Sequence, residues 1–353
     1  MSSKFLRTLG LDALYFSGAN LLLRPFAQGV GAVLTMHHVR PASSQPFQPN
    51  KFLEVTPEFL ERSIKWLARN AYQFVSLDDL RARLIERRFD SRFVAITFDD
   101  GYRDNKIWAQ PILAKYRVPY AVFVTGEFAE GNGHLWWLAL EQIVARNDRI
   151  EAGGRVIASA TIREKLAAYD ELKTMLLRQP SDLDERSFVR DLAARYGFDQ
   201  AAANRAVCMN WDEVRELAAD PLATIGAHTV SHALLAKASD TDVRAELAGG
   251  RAILERKLQG EIRHLAYPFG SVDAAGEREF RIAAELGYKT AVTTRTGVLS
   301  PDAAAQLMQL PRITISGAYQ RERYLDVLVS GVAPATWNGL RRVRGRAHLP
   351  AWA

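Results

Sequence analysis

Apolar runs and amphipathic stretches alternate along the first 125 residues. Residues 31–36, Gly-Ala-Val-Leu-Thr-Met, read as a strand that ends in His37-His38. Thr56-Pro57-Glu58 has the form of a helix start, with Thr as cap and Pro at the first position, and Leu60, Ile64 and Leu67 then fall on one face. A short strand ends near Val75. Ser76 with Asp79 marks another capped start, with Leu77, Leu80 and Leu84 turned inward. Residues 93–96, Phe-Val-Ala-Ile, are apolar and partly β-branched, as a buried strand is. A helix over 103–116 and a strand over 120–124 follow. Strand and helix in alternation predict a parallel sheet or an α/β barrel.

The alternation fails between 126 and 210. That stretch is mostly helical by pattern, clearest over 163–178 and 184–196, with turn signals at Gly153-Gly154 and Pro180-Ser181. It reads as an insertion, a lid or a substrate platform. The barrel pattern resumes at Asn210-Trp211-Asp212-Glu213, a capped helix start. An amphipathic helix is expected over 241–258, with Gly249-Gly250 as its weak point. Strands are expected at 265–267, 288–293 and 307–310, with Pro311-Arg312 beyond the last. The expected fold is a distorted parallel (β/α) barrel with a helical insertion. Its parts are an N-terminal helical segment (1–30), a first barrel half (31–125), the insertion (126–210), a second half (211–320) and a C-terminal extension (321–353).

Composition changes this picture little. With 48% hydrophobic and 24% charged residues in 353, the chain has ordinary globular composition and ample length for a large core. A net charge of +6 does not imply nucleic acid, and no nucleic-acid motif is present. Cys208 is the only cysteine, so no internal disulfide forms, and it reads as a small buried apolar residue. The uncharged stretch 13–23 is 11 residues, short of the roughly 20 that a membrane span needs. Asp12 interrupts any signal-peptide pattern. The expected location is therefore cytoplasmic or peripheral to a membrane. The Leu-rich segment 5–23 packs on the barrel or lies on a membrane surface, and Arg341, Arg342, Arg344 and Arg346 form a basic tail, solvated or in contact with anionic lipid or glycan phosphate.

The chemistry-bearing residues stand at predicted strand ends. Asp99-Asp100-Gly101 follows the strand at 93–98; an Asp-Gly turn would supply this, but adjacent acids repel unless a cation or proton holds them. His228-Thr229-Val230-Ser231-His232 follows the apolar run 223–227. Two His four apart lie on one face of a helical turn, close enough to bind one metal. The Asp99-Asp100 pair is the best source of a third ligand. Two His and one carboxylate leave a position open for water.

Thr97-Phe98-Asp99-Asp100-Gly101 and His228-Thr229-Val230-Ser231-His232 resemble the first two motifs of the polysaccharide deacetylases, the NodB-homology carbohydrate esterases. Tyr267-Pro268-Phe269-Gly270 is similar to the tail of the third, and the three stand in the family's order. The resemblance covers roughly 31–125 and 211–315. It implies Asp100, His228 and His232 as ligands of a divalent metal, Asp99 as general base and the backbone N–H of Tyr102 as oxyanion donor. Zinc suits these ligands; nickel, cobalt and manganese are the other candidates. Tyr267 and Pro268, with the adjacent Trp136 and Trp137, are candidate sugar contacts. The Trp pair reads equally as an anchor of the insertion.

Two departures from the family pattern are plain. Its third motif carries an Arg two residues before the Pro, where this chain has Ala266, and its late Leu-x-His is absent. Arg312, past the last predicted strand, is the candidate replacement cation, with Arg263 as fallback. His37 is the candidate acid, with His38 as fallback, because Met36-His37-His38-Val39 resembles the early Tyr-His motif of poly-N-acetylglucosamine deacetylases. The expectation is a metal-dependent de-N-acetylase acting on an N-acetylated glycan. The alternatives are an amidase or deformylase of the same fold and an inactive glycan-binding barrel.

Overall fold

Strands that are apolar on both faces have to be covered on both sides. A closed parallel ring with helices outside does this. The computed structural model describes residues 3–343. Seven strands form the ring: β1 Gly31–Met36, β2 Phe93–Phe98, β3 Tyr120–Val124, β4 Ala223–Ala227, β5 His264–Ala266, β6 Thr290–Thr296 and β7 Leu310–Thr314. Each pairs in parallel with the next along the chain, and β7 closes on β1. A short strand, Gln73–Phe74, adds to the start of β2.

Alternation along the strands separates two cores. Val33, Ala95, Phe123, Ala266, Val292 and Leu310 pack together inside the ring. Leu34, Ile96, Val122 and Val124 face outward, in a second cluster with Leu60, Ile64, Leu67, Val214 and Leu217 of the surrounding helices. The helices start where local signals place them. Thr56 accepts from the Phe59 N–H, Ser76 from the Asp79 N–H and Asn210 from the Glu213 N–H.

Between β3 and β4 lie the helices Trp136–Arg146, Ile162–Leu177, Asp182–Arg195 and Gln200–Val207, which share a core of their own. This stretch also holds an antiparallel hairpin, Arg149–Ala152 with Arg155–Ala158, which the helical reading of the sequence did not include. Gly153 and Gly154 both take positive φ, +55° and +72°, as a tight two-residue hairpin turn requires.

A second difference concerns β7. It runs over Leu310–Thr314 and not 307–310, so Pro311 and Arg312 are inside it. Its register against β6 shifts between Val292 and Thr296, and this irregularity is where a residue without an N–H is tolerated. The described residues close with the helices Glu322–Val329 and Val332–Val343. Arg344 and Arg346 of the basic tail lie outside the described residues. Among the described residues no helix is long and apolar enough to cross a membrane.

Candidate active site

Strand parity decides which groups meet at the C-terminal end of the ring. Asp99 continues the inward series of Ala95 and Thr97, and its N–H donates to the Met36 carbonyl at 3.0 Å. Its partner is Arg312 on β7. Nη1 donates to Oδ1 at 2.8 Å and Nη2 to Oδ2 at 2.6 Å, a two-pronged grip. The guanidinium is itself fixed: Nε donates to the Thr293 carbonyl at 2.8 Å and Nη1 to Thr97 Oγ1 at 3.2 Å. Thr35 Oγ1 stands 3.5 Å from Asp99 Oδ2. Arg312 is fully buried and Asp99 nearly so. Burial favours the protonated acid, but the Arg312 charge outweighs it and holds Asp99 below the usual carboxylate range.

Asp100 takes φ +71°, which turns its side chain away from that of Asp99. Its Oδ1 lies 3.3 Å from His228 Nε2 and 3.4 Å from His232 Nε2. The ligand atoms of these three residues lie within 4.8 Å of one another. His228 Nδ1 sits 2.7 Å from the Ala266 carbonyl, so it carries the proton and Nε2 presents its lone pair to Asp100. Burial opposes charge on Asp100, yet the two imidazoles beside it hold it well below the ordinary range. Burial lowers the His228 pKa, and Asp100 and Asp99 more than reverse this. Asp100 Oδ1 is buried and accepts no hydrogen bond. A buried anionic oxygen without a donor, facing two imidazole nitrogens, fits a divalent cation.

The two His are not on a helical turn. Residues 228–232 form an irregular loop in which Thr229 and His232 take φ +64° and +63°, and the loop itself brings the rings to 5.0 Å. The His232 N–H donates to Thr229 Oγ1 at 3.0 Å. Glu246 of the helix Asp240–Leu258 accepts from the N–H groups of Val230 and Ser231, each at 3.0 Å, and from Ser231 Oγ at 2.7 Å. Gly249 and Gly250 of that helix make this possible. A Cβ on Gly250 would stand 2.6 Å from the Thr229 carbonyl carbon, and one on Gly249 2.8 Å from Val230 Cγ2. The pair that looked like a weak point lets the helix approach the loop.

His37 continues the inward series of Val33 and Thr35, is partly exposed, and lies within electrostatic reach of Asp99, Asp100 and Arg312. Burial lowers its pKa, against the pull of Asp100 and Asp99. His38 is buried elsewhere. It pairs with Asp104 at 2.6 Å and stacks on the Tyr102 ring with centroids 3.6 Å apart. Arg263 pairs with Asp78 at the opposite end of the barrel and does not enter the site.

Tyr102 is fully buried. The bridge between Tyr102 and Cys208 runs through the Gly101 carbonyl and the Met209 N–H, which leaves the Tyr102 N–H outside it. The Tyr102 hydroxyl accepts from Trp137 Nε1 at 3.1 Å. Trp136 and Trp137 are 7% and 9% exposed and meet edge to face at 5.5 Å. Trp137 also stands 5.3 Å from the His232 ring, so the structure brings it to the site as a wall. Tyr267 is not brought to the surface. It packs on Phe280 and donates to the Met308 carbonyl at 3.0 Å. Pro268 is buried in a tight turn, and the next residue, Phe269, lies 4.9 Å from His232. Phe128 stacks on His232 at 5.6 Å. Sequence reasoning gave no site role to Phe128, Phe269, Thr35, Thr97 and Glu246, although Thr97 and Phe269 stand within the motifs. Alternation from Ala95 and Val33 would have found the two Thr; Phe128 and Glu246 carry no local signal.

The site thus sets two imidazoles and a carboxylate at the C-terminal mouth of a parallel barrel, beside an acid held by an Arg. The sequence model of the polysaccharide deacetylase family matches residues 86–174 and 192–291, and the chain belongs to this family. YxkH of Bacillus subtilis, a protein named for polysaccharide deacetylation, is 22% identical over 263 residues, 74% of this chain and 66% of that protein. Poly-beta-1,6-N-acetyl-D-glucosamine N-deacetylase of Escherichia coli K12 is 20% identical over 310 residues, 87% of this chain but 40% of that protein. The chain thus spans less than two thirds of the length of these relatives. Among solved structures, the Streptococcus pyogenes deacetylase PplD in complex with acetate superposes with TM-score 0.57 at 20% identity, over 84% of this chain and 97% of that one. IcaB from Ammonifex degensii superposes with TM-score 0.53 at 18% identity, over 85% and 96%. These likenesses establish the fold.

Proposed function

We propose that the chain is a metal-dependent hydrolase that removes N-acetyl groups from an acetylated sugar polymer of the poly-N-acetylglucosamine or chitooligosaccharide kind. One observation carries the reading: an Arg-gripped, ionised Asp99 stands next to Asp100, whose donorless Oδ1 faces His228 and His232.

Asp100, His228 and His232 would hold the divalent ion, with zinc best suited to two imidazoles and a carboxylate. When bound, such an ion polarises an acyl carbonyl and makes a water more acidic. Asp99 accepts the proton of the attacking water. The Arg312 grip keeps it ionised and aimed, and a carboxylate committed to the ion, as Asp100 is, would be a poor base. The Tyr102 N–H steadies the oxyanion that develops on the acyl oxygen. His37, on the neighbouring strand end, returns a proton to the leaving amine. Its lowered pKa makes the protonated ring a stronger acid, and the carboxylates beside it keep that form accessible.

The test is acetate release from a panel of β-1,6-linked and β-1,4-linked N-acetylglucosamine oligomers, N-acetylated peptides and N-formyl compounds. It uses chelated and metal-reconstituted protein. Release from the oligomers that chelation abolishes and zinc restores is the expected result. Turnover of the peptides or formyl compounds alone would assign another amide to the same site. No release from any substrate by metal-loaded protein would leave a glycan-binding barrel.

A further inference from the structure

The N-terminal helix pair is built the wrong way round for water. Helix Ala19–Ala27 turns Asn20 and Arg24 inward: Asn20 is 1% exposed and donates to Asp326 at 2.9 Å, and Arg24 pairs with the other oxygen of Asp326. The opposite face carries Leu22 and Phe26, 78% and 89% exposed, with Leu21 at 68% beside them. At 100° per residue, Asn20 and Arg24 share one side of the helix, and Leu22 and Phe26 share the side facing away. A helix packed on a protein in water has the reverse arrangement. Here polar contacts hold the helix to the body and large apolar side chains stand clear of it.

The helix before it, Ser3–Phe16, is anchored by Leu11, fully buried, and by Asp12, which accepts from Arg323 at 2.7 Å and from the Tyr324 hydroxyl at 2.9 Å. Its last residue, Phe16, is 71% exposed. Phe16 borders an open depression of about 610 Å³ lined also by Tyr15, Arg62, Arg321 and Arg323. Asp12 is taken up by Arg323, and Glu322, on the same rim, pairs with Arg69 at 3.4 Å. Arg62 and Arg321 are exposed and form no ion pair among the described residues.

We propose that this face docks on the surface of an anionic phospholipid bilayer, with Leu21, Leu22 and Phe26 in the acyl boundary and Arg62 and Arg321 at lipid phosphates. Protruding apolar side chains on one helix, with two arginines outside any ion pair beside Phe16 at the end of the helix before it, match an interface that is apolar within and negative at its edge. A second copy of the chain would bring the same two arginines to the contact from both sides, whereas an anionic bilayer neutralises them. The contact is superficial, since no described helix is long and apolar enough to cross. It does not depend on the reaction proposed above.

Flotation of the full-length protein with phosphatidylcholine–phosphatidylglycerol vesicles tests this. The wild type should float with them, and raised salt or pure phosphatidylcholine should weaken binding. The triple variant Leu21→Ser, Leu22→Ser, Phe26→Ser should lose at least tenfold in vesicle affinity with its melting temperature unchanged, because the three side chains contribute little to the folded core. Arg62→Glu with Arg321→Glu should lose binding to the anionic vesicles. A polarity-sensitive dye on Leu22→Cys should shift to the blue on vesicle addition; native Cys208 is buried and does not compete for label. The proposal is overturned if the wild type fails to float, if the triple variant floats equally well, or if the dye at position 22 stays in water. It is also overturned if light scattering shows a lipid-free dimer that the triple variant dissolves.

Discussion

At Asp99 two large and opposed effects meet. Burial disfavours the charge and the Arg312 fork favours it, and the fork prevails. Arg312→Ala removes the main effect opposing burial, so the Asp99 pKa should rise and the acid limb of kcat/KM should move to higher pH. A pH–rate profile that keeps its acid limb would show that Asp99 is not the base. Asp99→Asn should keep the metal, read by elemental analysis, and lose about 10²–10⁴-fold in turnover; Asp100→Asn should lose the metal. His37→Ala should lose deacetylation of amides but retain most of its activity on an aryl acetate, whose leaving group needs no proton. Equal loss on both substrates would place His37 outside proton delivery. Both His37 and Arg312 were nameable from sequence because each flanks an apolar run. His38, the fallback, has its side chain turned onto Asp104 and Tyr102.

The loop 228–232 and the helix Asp240–Leu258 work as one element. The spacing of the two His was legible in sequence. The helical turn expected to bring them together does not form, because the loop takes two positive φ values and its N–H groups end on Glu246. Glu246 lies 14 residues beyond His232, and nothing in the local sequence ties them. Gly250→Ala should push the Thr229 backbone, cost about 1–3 kcal/mol as overpacking does, and weaken zinc affinity in a chelator competition. Gly10→Ala, in a helix where a Cβ meets nothing within 4 Å, is the control and should leave zinc affinity unchanged with no loss of stability. Trp136 and Trp137 belong to the same scale. Each is nearly buried, so Trp137→Ala should cost about 3–5 kcal/mol in a urea melt. A variant of wild-type stability with weakened oligomer binding would return the pair to sugar contact.

Closing seven strands into a ring places β1, β2 and β7 side by side, and the Asp99–Arg312 pair ties β2 to β7 at the mouth. Its contribution to stability has a definite sign with pH. The folded pKa of Asp99 lies below the ordinary value of 3.8, so the stabilisation is present above that value and is lost as pH falls through the folded pKa. The difference in urea midpoint between wild type and Asp99→Asn, both metal-free, should be largest above pH 4 and shrink below it. A difference that stays constant down to pH 2 would show that folding does not lower the Asp99 pKa. The insertion is a second core at this scale. Its helices were visible through periodicity, and its hairpin was not, since four-residue strands on an exposed edge carry too short a pattern.

What the sequence alone determined was local: the caps at Thr56, Ser76 and Asn210, the apolar strands, the acids at the end of one strand and the paired His after another. Each depends on residues within one or two turns of each other. Tertiary structure decided the rest. Arg312 reaches Asp99 across 213 positions because the ring brings β7 near β2. Gly249 and Gly250 became a point of approach because a loop 20 residues away packs on them. Asn20, Arg24 and Asp326 turned a leucine-rich helix inside out, because only the folded body supplies the carboxylate that holds its polar side.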